Sequence, residues 1–157
     1  SVAQNREQII EYLQQVRRNN PTADLAFYSY RDMESCDWLP FIKAAVERNP
    51  VSIQMTEAMS VEEIYAWLRQ MKNISIYDAG RLAQPDEVAN YQTGDGLEKA
   101  FLLADVIRER KPEQDIEIII DNSDVTLKAQ NQYSFTSAKG LVKQVFISAA
   151  GAFSTVE

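Results

Sequence analysis

The sequence contains no histidine and a single cysteine, Cys36. The missing imidazole removes the commonest general base, the commonest metal ligand and the usual switch near neutral pH. A Cys-His or Ser-His nucleophilic machine cannot be assembled from this chain alone. One cysteine forms no intrachain disulfide, and with no basic region leading into an apolar stretch at the start, the expected setting is reducing and cytoplasmic. No apolar run approaches the roughly 20 residues that span a bilayer, so no membrane is expected. Basic residues are outnumbered, 16 against 23 acids, for a net charge of -7. An acidic surface repels phosphate backbones, so nucleic acid is not an expected partner.

What is present suits one globular domain. The chain has 157 residues, 45% of them hydrophobic and 25% charged, enough to bury a sizeable core. The reading is a single domain over 1–157, with a core at 60–150 and an N-terminal helical extension at 1–59. A start at Ser1-Val2 is compatible with a piece of a larger protein. Residues 4–18 read as a helix carrying Ile9, Ile10, Leu13 and Val16 on one face. Leu25–Tyr28 reads as a short strand. A second helix is expected from Asp37, a plausible N-cap, to Arg48, and Val51–Met55 alternates like a brief strand.

Ser60-Val61-Glu62-Glu63 is a capping-box signature ahead of a stripe formed by Val61, Ile64, Trp67, Leu68 and Met71. Ile74–Tyr77 reads as a short extended piece, and Pro85 opens another short helix. Asp95 followed by Glu98 repeats the cap logic. Leu97, Ala100, Phe101, Ala104 and Ile107 then recur at helical spacing, widened by Leu103 and Val106, which makes this the expected central helix. After Pro112 the β-branched run Ile116–Ile120, the turn cluster Asp121-Asn122-Ser123-Asp124 and three further strand-like segments (125–127, 133–136, 142–147) predict a mainly antiparallel sheet. Helices first and strands last indicate α+β, with N-terminal helices and a buried central helix packed on a C-terminal sheet.

Residues 60–104 carry a resemblance. A capped helix, a short extended stretch, a Pro-Asp-Glu turn (Pro85-Asp86-Glu87) and the string Gly94-Asp95-Gly96-Leu97-Glu98-Lys99-Ala100-Phe101-Leu102-Leu103 resemble the core of transglutaminase-like domains of the papain-like cysteine amidase and protease superfamily. In that family a cysteine at the head of the central helix is the nucleophile. Backbone N–H groups and the helix dipole there favour its thiolate. A histidine on the next strand takes the proton and an acid on the strand after orients the histidine. Here the cysteine position is Gly96, the histidine position falls near Asp124 or Val125, and no acid stands at Tyr133–Ser137. The resemblance therefore implies a catalytically inactive domain, with a vestigial groove around Asp95, Gly96, Leu97, Asp124 and Thr136. With no side chain at Gly96 that groove would be open to a peptide strand or a glycan, or else filled by neighbours so that the domain is a scaffold.

Other constellations favour structural roles. Cys36 precedes a helix, but Glu34 and Asp37 oppose a thiolate. Asp121–Asp124 lacks the alternation and distal Glu of a calcium loop. Arg108, Arg110 and Lys111 fit the C-terminus of a helix. Phe27, Tyr28, Tyr30 and Trp38 form an aromatic cluster better suited to packing than to stacking a ligand. Neither metal nor cofactor is expected. The functional expectation is an inactive transglutaminase-like module that binds a protein or glycan or serves as a scaffold. The alternatives are a carboxylate-dependent enzyme acting on a carbohydrate, for which a cleft with two acids of separated pKa would speak, and a purely structural or oligomerising domain.

Overall fold

A computed structural model describes residues 32–149 and 151–157. The expected helix at 4–18, the strand at Leu25–Tyr28 and three members of the aromatic cluster (Phe27, Tyr28, Tyr30) lie outside the described residues. Among the described residues five helices come first: α1 (Leu39–Glu47), α2 (Pro50–Met55), α3 (Val61–Gln70), α4 (Pro85–Tyr91) and α5 (Gly96–Arg110). Five strands follow: β1 (Ile116–Asp121), β2 (Asp124–Lys128), β3 (Gln132–Thr136), β4 (Val142–Ile147) and β5 (Phe153–Val156). The class is α+β, with helices packed on a C-terminal antiparallel sheet of order β3-β2-β1-β4-β5.

The helices start where side chains satisfy their first N–H groups. Ser60 Oγ accepts from Glu63 N (3.1 Å) while Glu63 Oε1 accepts from Ser60 N (3.0 Å), the reciprocal box read from the sequence. Gln84 and Glu87 form the same arrangement at α4, with Pro85 at its first position, where the missing N–H costs nothing. Asp37 sits one residue before the cap position, held by Trp38, and its Oδ1 accepts from Leu39 N (3.0 Å).

One expected strand differs from the sequence reading. Val51–Met55 is helix, not strand: Pro50 opens α2, and Asp86, remote in sequence, accepts from Val51 N, Ser52 N and Ser52 Oγ at 3.1, 2.7 and 2.7 Å. A tertiary cap has overridden a short alternating pattern. Ile74–Tyr77 joins no strand ladder, and the local pairing is a single bridge, Lys72 with Thr93.

α5 is the centre of the core. All twelve of its residues from Gly96 to Ile107 are buried. α1 covers one side of it with Phe41, Ile42, Ala45 and Val46, and Phe41 meets Phe101 edge-to-face at 5.2 Å. The sheet covers the other side. Ile116, Ile118 and Ile120 alternate inward on β1 against Val125 and Leu127 of β2, the period-two pattern of a sheet covered on one face. Tyr133 and Phe135 on β3 continue that face and both meet the Tyr65 ring of α3, at 5.0 and 5.4 Å.

Candidate functional site

The head of α5 is where the sequence places its candidate residues, and the fold brings four of the five into direct contact. Asp95 caps the helix by accepting from Leu97 N at 2.9 Å. The same carboxylate accepts from Ser137 Oγ and from Ala138 N, both at 2.7 Å. It therefore ties the helix to the segment leaving β3. Leu97 is fully buried in the core. Thr136 ends β3 and lies against Gly96. Asp124 pairs with Thr136 in the β2–β3 register but is itself exposed at the hairpin.

The space beside Gly96 is filled by backbone. A Cβ at this position would stand 2.1 Å from Thr136 O, 2.6 Å from its carbonyl carbon and 2.8 Å from its N. No side chain fits there without moving β3. Glycine is required by this close approach of two backbones rather than by a positive φ. Thr136 O also accepts from Asn73 Nδ2 at 2.8 Å.

A buried polar network surrounds the junction. Glu98 is fully buried, and its carboxylate accepts from Asp95 N (2.8 Å), Ser75 Oγ (2.7 Å) and Ala83 N (2.6 Å). Desolvation raises its pKa to about 7 against the opposing pull of those three donors and of Lys139. Lys99 donates through Nζ to Met71 O (3.0 Å) and Asn73 Oδ1 (3.3 Å). Lys139 donates to Tyr77 O (2.8 Å). Burial lowers the pKa of both lysines, with the charges of Asp95 and Glu98 resisting the shift. Tyr77 OH donates to Glu87. These bonds strap residues 71–83 over the head of α5.

Sequence reasoning brought out Asp95, Gly96 and Thr136 but not what the neighbouring groups do. Glu98 reads as an ordinary box partner, and its second oxygen is committed to a loop no local pattern announces. Ser75, Asn73, Ser137 and Lys139 carry no sequence signal at all. Asp105, apart from this network, is a lone acid in the apolar run of α5. It is 2% exposed, and its Oδ2 has no hydrogen-bond partner among the described residues.

The remaining candidates are structural in placement. Cys36 is half-buried, with burial first and then the charge of Asp32 raising its thiol pKa. Trp38 is buried and donates from Nε1 to Met33 O at 2.8 Å. Asn122, in the left-handed conformation, turns the β1–β2 hairpin at Asp121–Asp124. Arg108 Nη1 donates to Pro112 O and Ser148 O, and Arg110 to Thr56 O. No group of three or more metal-binding side chains occurs among the described residues, and no helix among them is long and apolar enough to cross a membrane.

Asp95 and Glu98 stand at the head of α5, where their oxygens accept from backbone and hydroxyl donors. Clefts open on the surface away from this junction. One of about 640 Å³ is lined by Trp67, Met71, Lys72, Ile74, Gln92 and Thr93, among others, and by no acid. Comparison with protein-family models, with curated proteins and with solved structures finds no match.

Proposed function

We propose that this domain is catalytically inactive, with a transglutaminase-like arrangement at the head of α5, and works as a module that binds a protein or glycan within a larger assembly. The observation that carries this reading is the closure at Gly96. The position that would bear a nucleophile is pressed against the Thr136 backbone, in a chain without histidine. Asp95 and Glu98, which a carboxylate-dependent mechanism would need free, spend their oxygens on backbone and hydroxyl donors.

With the junction closed, binding falls to the surface. The cleft beside Trp67 combines an aromatic ring, two glutamines (Gln70 and Gln92), a threonine and the 63%-exposed Ile74, and it holds no acid in a chain of net charge -7. An apolar side chain of a protein partner suits Ile74 and Met71 better than a sugar hydroxyl does.

The test has two arms. Incubation of the Cys36→Ser variant with a glutamine peptide and a fluorescent amine gives no amine incorporation above the protein-free control. Acyl transfer by that variant would sink the inactive reading. Titration of the isotope-labelled chain with extended peptides carrying a central Leu or Phe shifts amide signals of Trp67, Ile74 and Gln92. Shifts with oligosaccharides instead would assign the cleft to a glycan.

A further inference from the structure

We propose that Asp105, buried with an unpartnered oxygen on the helix against which α2 and α4 pack, is a built-in charge switch: with its proton on, the corner formed by α2 and α4 stays docked on α5, and with its proton off that corner loosens.

Asp86 makes four hydrogen bonds that join α4 to the start of α2, while Arg110 of α5 holds the far end of α2 through Thr56 O at 2.7 Å. The two carboxylate oxygens of Asp86 accept three hydrogen bonds from the first turn of α2, where the partial positive charge of unpaired N–H groups favours an anion. Asp86 N donates to Asn49 Oδ1 at 2.8 Å, and Asn49 Nδ2 donates to Gln84 Oε1 at 3.0 Å. α2, α4 and α5 are all in mutual contact.

Asp105 lies on the buried length of α5 with one oxygen unpartnered. A buried carboxylate without a donor is costly, whereas the protonated acid is far cheaper to bury. The charges that act on it are both negative: Asp86 across the seam and Glu109 one turn along its own helix. The facing elements offer no relief. α2 has no ionisable side chain between Pro50 and Met55, and the buried face of α1 is Phe41, Ile42, Ala45 and Val46. The inward residues of β1 and β2 are aliphatic. Tyr133 on β3 spends its hydroxyl on Glu62, and the buried residues of α3 are Ile64 and Leu68. Burial first, then Asp86, then Glu109 push the Asp105 pKa up to about 8.

Ionisation therefore adds a negative charge to the buried length of α5 on which α2 and α4 pack, in a medium of low dielectric constant. Two outcomes open: Asp105 moves toward water, or Asp86 lets go of the first turn of α2. Either loosens the same corner and leaves the sheet intact.

Carbon-detected NMR titration of the whole chain reads the side-chain carboxyl of Asp105 directly. The expected midpoint is near pH 8, moving to lower pH in Asp86→Asn because the repelling charge is gone. Amide exchange at Val51 and Ser52, corrected for the intrinsic effect of pH, is expected to become at least about tenfold less protected between about pH 6.5 and 9. Exchange at Ile118 in β1 stays constant, and Asp105→Asn removes the pH response at Val51 and Ser52. An Asp105 midpoint in the ordinary carboxyl range near 4, or an unchanged pH response in Asp105→Asn, overturns the proposal. If Asp105→Asn does not fold, the wild-type titration decides alone.

Discussion

Three residues show how differently one acid or one glycine can be used within a single helix. Gly96 is small because two backbones meet there. Asp95 is a cap whose second task, holding Ser137 and Ala138, lies 42 and 43 residues away. Glu98 closes the capping box and pins a loop at once. Its raised pKa has a definite consequence. Between the unfolded carboxyl value near 4.5 and about 7 the folded chain holds a proton that the unfolded chain has lost. That contribution is fully present below about pH 4.5 and is lost as pH rises through 7. Glu98→Gln flattens this part of the profile. It also sets an amide NH₂ against one of the donors that now face carboxylate oxygen, so the variant is less stable at about pH 8 by about 1–3 kcal/mol. Urea denaturation at about pH 5 and about pH 8 checks both effects. A variant with the wild-type slope would place the titration elsewhere.

At the level of elements, the sequence speaks clearly wherever a start signal is local. Ser60 with Glu63, Gln84 with Glu87 and Asp95 with Glu98 are three helix starts built within four residues each, and the isoleucine run of β1 sits between evident turns. α2 was illegible because its capping acid, Asp86, comes 34 or 35 residues later. β5 is short, half-exposed and defined by its pairing with β4, so no apolar run marks it. The edge strand β3 shows another long-range device. The Tyr65 hydroxyl of α3 accepts from Ser134 N (3.1 Å) and donates to Ser134 O (2.9 Å), doing for the edge what a neighbouring strand would do. Tyr65→Phe leaves the ring packing and removes both bonds. The expected loss is about 1 kcal/mol in chemical denaturation, because the freed groups are exposed and water replaces the hydroxyl. It should be joined by faster association of the native chain through β3, read by light scattering. A loss above about 3 kcal/mol would mean the edge is buried more deeply than its geometry indicates.

For the whole molecule, the head of α5 meets the end of β3 at a closed junction, and that closure is the support for the function proposed above. The candidate positions were legible because a helix start and a family-like string coincide at Gly94–Leu103. Their closure was not, since it depends on how closely β3 approaches α5, a distance no pattern in either segment encodes. The same packing leaves no room for a side chain at Gly96, and in the function proposed above any binding role falls to the surface, where the cleft at Trp67 lies. The direct measurement is to install the missing thiol. In a chain carrying both Cys36→Ser and Gly96→Cys, the new sulfur has no room beside Thr136, so the variant is destabilised by about 3 kcal/mol. Reaction of the introduced thiol with a thiol reagent is then expected to proceed only as fast as the chain unfolds. Rapid labelling of that thiol in a chain that keeps wild-type stability would show an open groove at the head of α5 and contradict the account.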